Sequence, residues 1–137
     1  MEIRRGDTDD LAAIARIQAG SPEAAQWKPT DYLSYDLRVA IVDGCVAGFL
    51  VVRENGPGEF EILNLAVDPG CRRRGLARQL VAALQLSFNG TIFLEVRECN
   101  KAARKLYKSM GFQEVSLRRE YYNSPLEAAI VMKFCSC

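Results

Sequence analysis

The chain has no histidine in its 137 residues, and that absence removes much chemistry. The side chain best placed to move protons near neutral pH is missing. Serine or cysteine triads that depend on it are therefore excluded, and proton transfer falls to Glu, Asp, Tyr, Lys or Cys. Cysteine is few and scattered: Cys45, Cys71, Cys99, Cys135 and Cys137 form no Cys-x-x-Cys pair. An odd, dispersed set without histidine builds neither a zinc site nor a disulfide framework, so no metal is expected, and reduced thiols in a cytoplasm fit better. Charge of one sign is not in excess either. Eighteen Lys plus Arg against 17 Asp plus Glu leave +1, which supplies no general field for nucleic acid or an anionic membrane, so any anion site is local. No apolar stretch approaches the roughly 20 residues of a membrane span, and the opening Met1 to Asp7 carries no apolar signal core. These absences point to a soluble, cytoplasmic protein with neither a nucleic-acid nor a membrane partner.

What is present is the composition of one folded domain spanning residues 1–137, with 49% hydrophobic and 26% charged residues. Residues 2–5 read as a strand, and Asp7 or Thr8 can cap a helix carrying Leu11, Ile14 and Ile17 that ends near Gly20. A polar loop holding Trp27 leads to a short helix around 30–35. Strands follow at 37–42 and 46–53, joined by the hairpin turn Asp43-Gly44, and a third at 60–67. Leu76, Leu80, Leu84 and Phe88 recur every four residues and predict a helix over 72–88. A strand at 91–97, a helix capped by Asn100 and stopped by Gly111, and strands at 112–121 and 127–134 complete the chain. The order describes an α/β fold, a mixed sheet of about seven strands with about four helices on its two faces.

The segment Asn64 to Arg78 runs from an apolar strand through Asp68-Pro69-Gly70 into the main helix. A helix N-terminus offers unpaired N–H groups and a positive dipole end, and Gly75 lets a pyrophosphate approach the backbone. Arginines at a helix N-terminus oppose the macrodipole at a cost of a few tenths to ~1 kcal/mol per charge unless an anion is present. Arg72, Arg73, Arg74 and Arg78 therefore fit an anion site better than a solvated helix end. Neither Gly-x-x-x-x-Gly-Lys-Ser/Thr nor Gly-x-Gly-x-x-Gly occurs, which disfavours a nucleotide hydrolase or dinucleotide enzyme.

This segment resembles the acetyl-CoA motif Arg/Gln-x-x-Gly-x-Gly/Ala of the GNAT superfamily of N-acetyltransferases, with Arg72, Gly75 and Ala77 in the defining places. The run from Phe93 to Phe112 is similar to the signature of the superfamily's RimI-type branch, which acetylates protein N-termini. The resemblance implies the GNAT (acyl-CoA N-acyltransferase) fold and acetyl-CoA as cofactor, held by Leu65, Ala66, Val67, Arg72, Arg73, Arg74, Gly75, Leu76, Ala77, Arg78 and Asn100. Backbone N–H groups near Leu65 to Val67 then polarise the carbonyl, Glu95 is the general base and Tyr107 the general acid. Read without it, Glu95 alternates with buried positions and can simply meet water, Tyr107 suits an aromatic core, and Asn100 is a helix cap.

Glu61 lies on the strand before the cofactor motif, where histone-type members of the superfamily place their catalytic glutamate, and is a second candidate base at the substrate side. Arg118 to Tyr122 resembles the RimI-type hairpin on which related enzymes hold the acceptor's backbone, which nominates Tyr121 and Tyr122 for the substrate. Trp27 falls where that branch has a Pro-Trp pair, with Gln26 replacing the proline. The expected reaction is direct acetyl transfer to a primary amine, most readily a protein or peptide N-terminal α-amine. A small-molecule amine acetyltransferase for a polyamine or antibiotic, and a non-catalytic acyl-CoA-binding module, are the alternatives. Cys99 as an acetylated intermediate is disfavoured without histidine to activate it. The expected assembly is a monomer or homodimer.

Overall fold

The computed structural model describes residues 1–22, 24–72, 74–123 and 126–136, and the side chains of 119–126 also lie outside the description. Among the described residues the strands are β1 (Glu2–Arg5), β2 (Asp36–Val42), β3 (Cys45–Gly56), β4 (Glu59–Val67), β5 (Thr91–Arg97), β6 (Gln113–Asn123) and β7 (Leu126–Cys135). The helices are α1 (Leu11–Ala19), α2 (Leu76–Ser87) and α3 (Lys101–Ser109), and the short helix expected near 30–35 is a 3-10 helix over Pro29–Ser34. The strands form one mixed sheet in the order β1-β2-β3-β4-β5-β7-β6. Asp43 and Gly44 both take positive φ, 51° and 78°, as a two-residue hairpin turn between β2 and β3 requires. No helix among the described residues is long and apolar enough to cross a membrane.

Chain contacts divide the molecule into two compact units, Met1–Arg53 with Leu63–Ser87, and Glu54–Ile62 with Phe88–Cys137. In the first, Asp7 accepts from the Asp9 N–H, and the buried Asp10 accepts both from the Asp7 N–H and from Arg4 at 2.9 Å, so the start of the first helical turn is reciprocally capped. Ile14 and Ile17 of α1 join Leu37, Val39, Phe49, Val51 and Ala66 in one buried cluster on one face of β2 to β4. The intervening residues face the other way, where a Cβ on Gly48 would sit 3.5 Å from Leu80 of α2. Helices thus cover both faces.

In the second unit the parallel ladder between β4 and β5 runs only from Glu59 opposite Thr91 to Ile62 opposite Leu94. The remainder of β4, Leu63 to Val67, is not part of that ladder. Antiparallel pairing of β7 with both β5 and β6 completes the unit. Ile92, Leu94 and Val96 are buried on one face, with Met132 and Ile130 directly across from Leu94 and Val96 on β7.

One expectation is corrected. The helix predicted from Arg72 begins at Leu76, because Gly75 at φ +74° cannot continue a right-handed helix, and Arg72 and Arg74 therefore precede the helix rather than form its first turn. The macrodipole argument then applies to Arg78 alone. Cys45, Cys71 and Cys99 are free thiols.

Candidate active site

The cofactor-type segment is built as a tight, internally bonded turn. Asp68 accepts from the Gly70 N–H at 2.9 Å, the Cys71 N–H returns to the Asp68 carbonyl at 2.8 Å, and the Asp68 N–H is fixed by Ala47 at 2.7 Å. Arg72 does not point into the turn: its guanidinium donates to Ser21 Oγ at 3.1 Å and to the Gly20 carbonyl at 3.4 Å. Arg74 and Arg78 are exposed, Leu76 is buried and Ala77 half-buried. Arg73 lies outside the described residues. Among the described residues, a Cβ on Gly75 would meet only Gln79 Nε2, at 4.0 Å, and Gly75 is exposed beside the first turn of a twelve-residue helix. An exposed glycine backbone at the start of a helix and two exposed arginines fit a diphosphate-bearing ligand such as acetyl-CoA.

Upstream, Ala66 is buried and Leu65 and Val67 are half-buried, with the Leu65 N–H donating to Asn64 Oδ1 at 3.0 Å. Trp27 is 42% exposed and its ring centroid lies 6.4 Å from that of Tyr32. Its carbonyl accepts from Gln18 Nε2 at 2.6 Å. Gln26, in the place of the branch's proline, caps the end of α1: its Nε2 lies within 3.2 Å of the carbonyls of Gln18, Ser21 and Ala24.

In the second unit Glu95 is half-buried on β5 and accepts from Arg118 Nη1 at 2.5 Å. Arg118 lies opposite Ala129, which lies opposite Arg97, so the guanidinium and Glu95 share a face. Glu61 pairs with Phe93 and stands on this same face, two residues from Glu95 along the ladder, accepting from Asn55 Nδ2 at 3.1 Å. Both candidate bases are thus brought together.

Tyr107 is on the other face. Its ring packs edge-on to Phe112 at 5.3 Å, Phe112 lies 5.4 Å from Phe134, and Phe134 is paired with Ile92. Salt bridges from Arg104 (2.9 Å) and Lys108 (3.3 Å) of α3 to Glu114 hold the helix there. Burial pushes the Tyr107 phenol well above the ordinary tyrosine range, so it stays protonated. Asn100 caps α3, its Oδ1 accepting from the Ala103 N–H at 3.2 Å. Tyr121 and Tyr122 fall on β6, but their side chains lie outside the described residues.

The turn between β5 and α3 is fastened by a residue that the sequence did not single out. Glu127 of β7 accepts from the Cys99 N–H at 2.6 Å and from Arg97 at 3.2 Å. The Cys99 thiol also donates to this carboxylate, which pushes its pKa up, the reverse of an activated nucleophile. Only the thiolate alkylates, so Glu127→Gln is expected to speed iodoacetamide labelling of Cys99 several-fold at pH 7.5, with Cys45 as the unaffected internal control. Mass spectrometry of a labelling time course reads both rates.

Gln18, Tyr32, Asn64 and Glu127 were given no role from the sequence, and Arg118 was read only as part of the RimI-type hairpin, not as the partner of Glu95. Asn64 gave a signal, a polar residue inside an apolar strand run.

A seven-stranded sheet whose fourth and fifth strands share only a short parallel ladder, followed by a glycine-opened turn into a helix, is the acetyltransferase architecture, and the chain belongs to the acetyltransferase (GNAT) family, whose model matches residues 9–112. Among curated relatives it is 41% identical over 83 residues to the N-alpha-acetyltransferase RimI of Mycobacterium tuberculosis, covering 58% of this chain and 52% of that protein. It is 46% identical over 80 residues to the [ribosomal protein bS18]-alanine N-acetyltransferase of Salmonella typhimurium, covering 54% of each. The chain thus spans about half the length of these relatives. The crystal structure of the ribosomal-protein-S18-alanine N-acetyltransferase from Escherichia coli superposes with a TM-score of 0.83 at 32% identity, covering 97% of this chain and 92% of that one.

Proposed function

We propose that residues 1–137 act as a single acetyl-CoA-dependent N-acetyltransferase domain whose acceptor is the α-amine of a protein N-terminus. The observation that carries this reading is the end of the β4–β5 ladder at Ile62, which leaves the backbone from Leu63 to Val67 outside it just before the Gly75 turn. The Leu65 N–H is held by Asn64 Oδ1 and the β3 side of β4 is paired, and an acyl-pantetheine chain would pair with the peptide groups that remain on the other side. Gly75, Leu76, Ala77, Arg74 and Arg78 then hold the diphosphate at the start of α2, and Arg72 braces the turn from behind through Ser21. Acetyl-CoA supplies the acetyl group and leaves as a thiol.

The chain's own residues move two protons. As the amine nitrogen bonds to the carbonyl carbon and the carbon–sulfur bond breaks, Glu95 accepts the amine proton through water and Tyr107 donates to the departing sulfur. Arg118 orients the Glu95 carboxylate, and Glu61 on the same face is placed to assist. An α-amine of pKa near 8 is about one-tenth neutral at pH 7, a lysine near 10.4 only about four parts in ten thousand, so a modest base without histidine suits N-termini. The names of the relatives, which are α-amine acetyltransferases, support the same acceptor class.

Calorimetric titration with acetyl-CoA, then mass spectrometry of a peptide library with free and blocked N-termini, tests this. Acetylation confined to free α-amines, with alanine-initiated peptides among the substrates, is expected. Acetylation of polyamines or lysines instead would retain the cofactor and discard the acceptor, and binding without any acetylation would leave only an acyl-CoA-binding module.

A further inference from the structure

Asn64 is 5% exposed, sits inside β4, and commits its whole carboxamide to groups from three other segments as well as its own strand. Its Nδ2 donates to the Ala25 carbonyl and to Tyr32 Oη, each at 2.9 Å, with Gln18 Oε1 at 3.3 Å sharing one of the two N–H groups. Its Oδ1 accepts from the Ala25 N–H at 3.2 Å and from the Leu65 N–H at 3.0 Å. The side chain therefore pairs with both polar groups of the Ala25 backbone, as a neighbouring strand would, and binds the loop before Trp27 to the strand that precedes the cofactor turn. Tyr32, fully buried, completes the network by donating to Gln18 Oε1 at 2.6 Å. Gln18 in turn holds the Trp27 carbonyl at 2.6 Å.

We infer that Asn64 is a positioning residue for the acceptor: it latches the Ala24–Trp27 loop so that Trp27 is presented at a fixed place. The inference rests on the reading of Trp27 as part of the acceptor site. Fully satisfied buried polar networks specify one arrangement where an apolar contact would tolerate several, because any displacement leaves a desolvated amide unpaired. A side chain with every donor and acceptor used exceeds what fixing a strand in a sheet demands, and two of its bonds go to the backbone of a loop residue. A second tether reaches the start of the same loop from the cofactor turn, where Arg72 donates to Ser21 Oγ at 3.1 Å.

Trp27 is the only tryptophan, so its fluorescence reads the loop directly. Two variants test the latch. Asn64→Asp keeps the acceptor atom for the Ala25 and Leu65 N–H groups and removes the donor to the Ala25 carbonyl. Ala25→Pro removes the loop's N–H without touching the core. In both, Trp27 emission is expected to shift to the red with stronger acrylamide quenching. KM for an N-terminal peptide should rise by about tenfold or more, while the acetyl-CoA Kd stays within about twofold and kcat changes little. An unchanged Trp27 spectrum in folded variants would overturn the latch. A shifted spectrum with an unchanged acceptor KM would overturn its link to the acceptor, and parallel loss of kcat and acetyl-CoA affinity would reduce Asn64 to a structural residue. If the parent protein acetylates no peptide, the acceptor reading fails on its own, and the fluorescence comparison still decides the latch.

Discussion

Replacing Tyr107 with phenylalanine is expected to lower kcat by at least about tenfold, toward the roughly 10²–10⁴ that a positioned acid contributes, with acetyl-CoA affinity unchanged. The ring is buried against Phe112 and its place is filled by phenylalanine equally well, so the fold is retained and the loss isolates the hydroxyl. The pH dependence follows from the direction of the phenol's shift. Burial raises its pKa above the ordinary tyrosine value of 10, so the donor form persists through the whole neutral and mildly alkaline range. A kcat profile should therefore show no alkaline limb from Tyr107 below about pH 10. Joint replacement of Cys71 and Cys99 by alanine should leave turnover nearly intact, because neither thiol takes part. Loss of turnover in the cysteine variant with full activity in Tyr107→Phe would overturn the direct-transfer scheme.

The opposite placement of the two proposed proton carriers bears on that scheme. Glu95 stands with Glu61 and Arg118 on one face of β5 and β7, and Tyr107 with α3 on the other. The attacking nitrogen and the leaving sulfur are bonded to one carbon, so in this scheme Glu95 works at a distance, through water, whereas Tyr107 is the group that meets the sulfur.

Most strands were legible because β4 and β5 alternate buried and half-buried residues along nearly their whole length, and because Asp43-Gly44 is a turn with few alternatives. The site was legible where a motif coincides with a local conformation, as at Gly75 and Asn100. It was not legible where a partner depends on register. Arg118 reaches Glu95 only because β6 slips by one residue between Glu114 and Ser116; without that bulge Arg118 would oppose Ala128 and face the other way. Nothing in the local sequence announces such a slip. The network around Asn64 was hidden for a related reason, since its members Gln18, Ala25 and Tyr32 are separated from it by 32 to 46 residues and no periodicity links them. The helix boundary was misjudged because the leucine repeat marks which face is buried, whereas the start is set by the backbone angle of one glycine.

That angle provides the second large effect. Gly75→Val is expected to raise the acetyl-CoA Kd by about 10- to 100-fold, the loss of one charge-assisted hydrogen bond of about 1.5–3 kcal/mol. Two causes act together. A β-branched residue at φ +74° carries strain of about 1–3 kcal/mol, and its side chain occupies the open space through which a diphosphate reaches the helix N–H groups. Gly75→Asn separates them: asparagine tolerates the left-handed region, and among the described residues the added Cβ meets nothing closer than Gln79 Nε2 at 4.0 Å, so stability should be nearly preserved. If the asparagine variant loses stability as the valine variant does but binds acetyl-CoA as tightly as the parent protein, conformation is the whole effect and the anion site lies elsewhere. If stability holds and affinity still falls, with the deficit shrinking as salt rises, the backbone at residue 75 is where the phosphates dock.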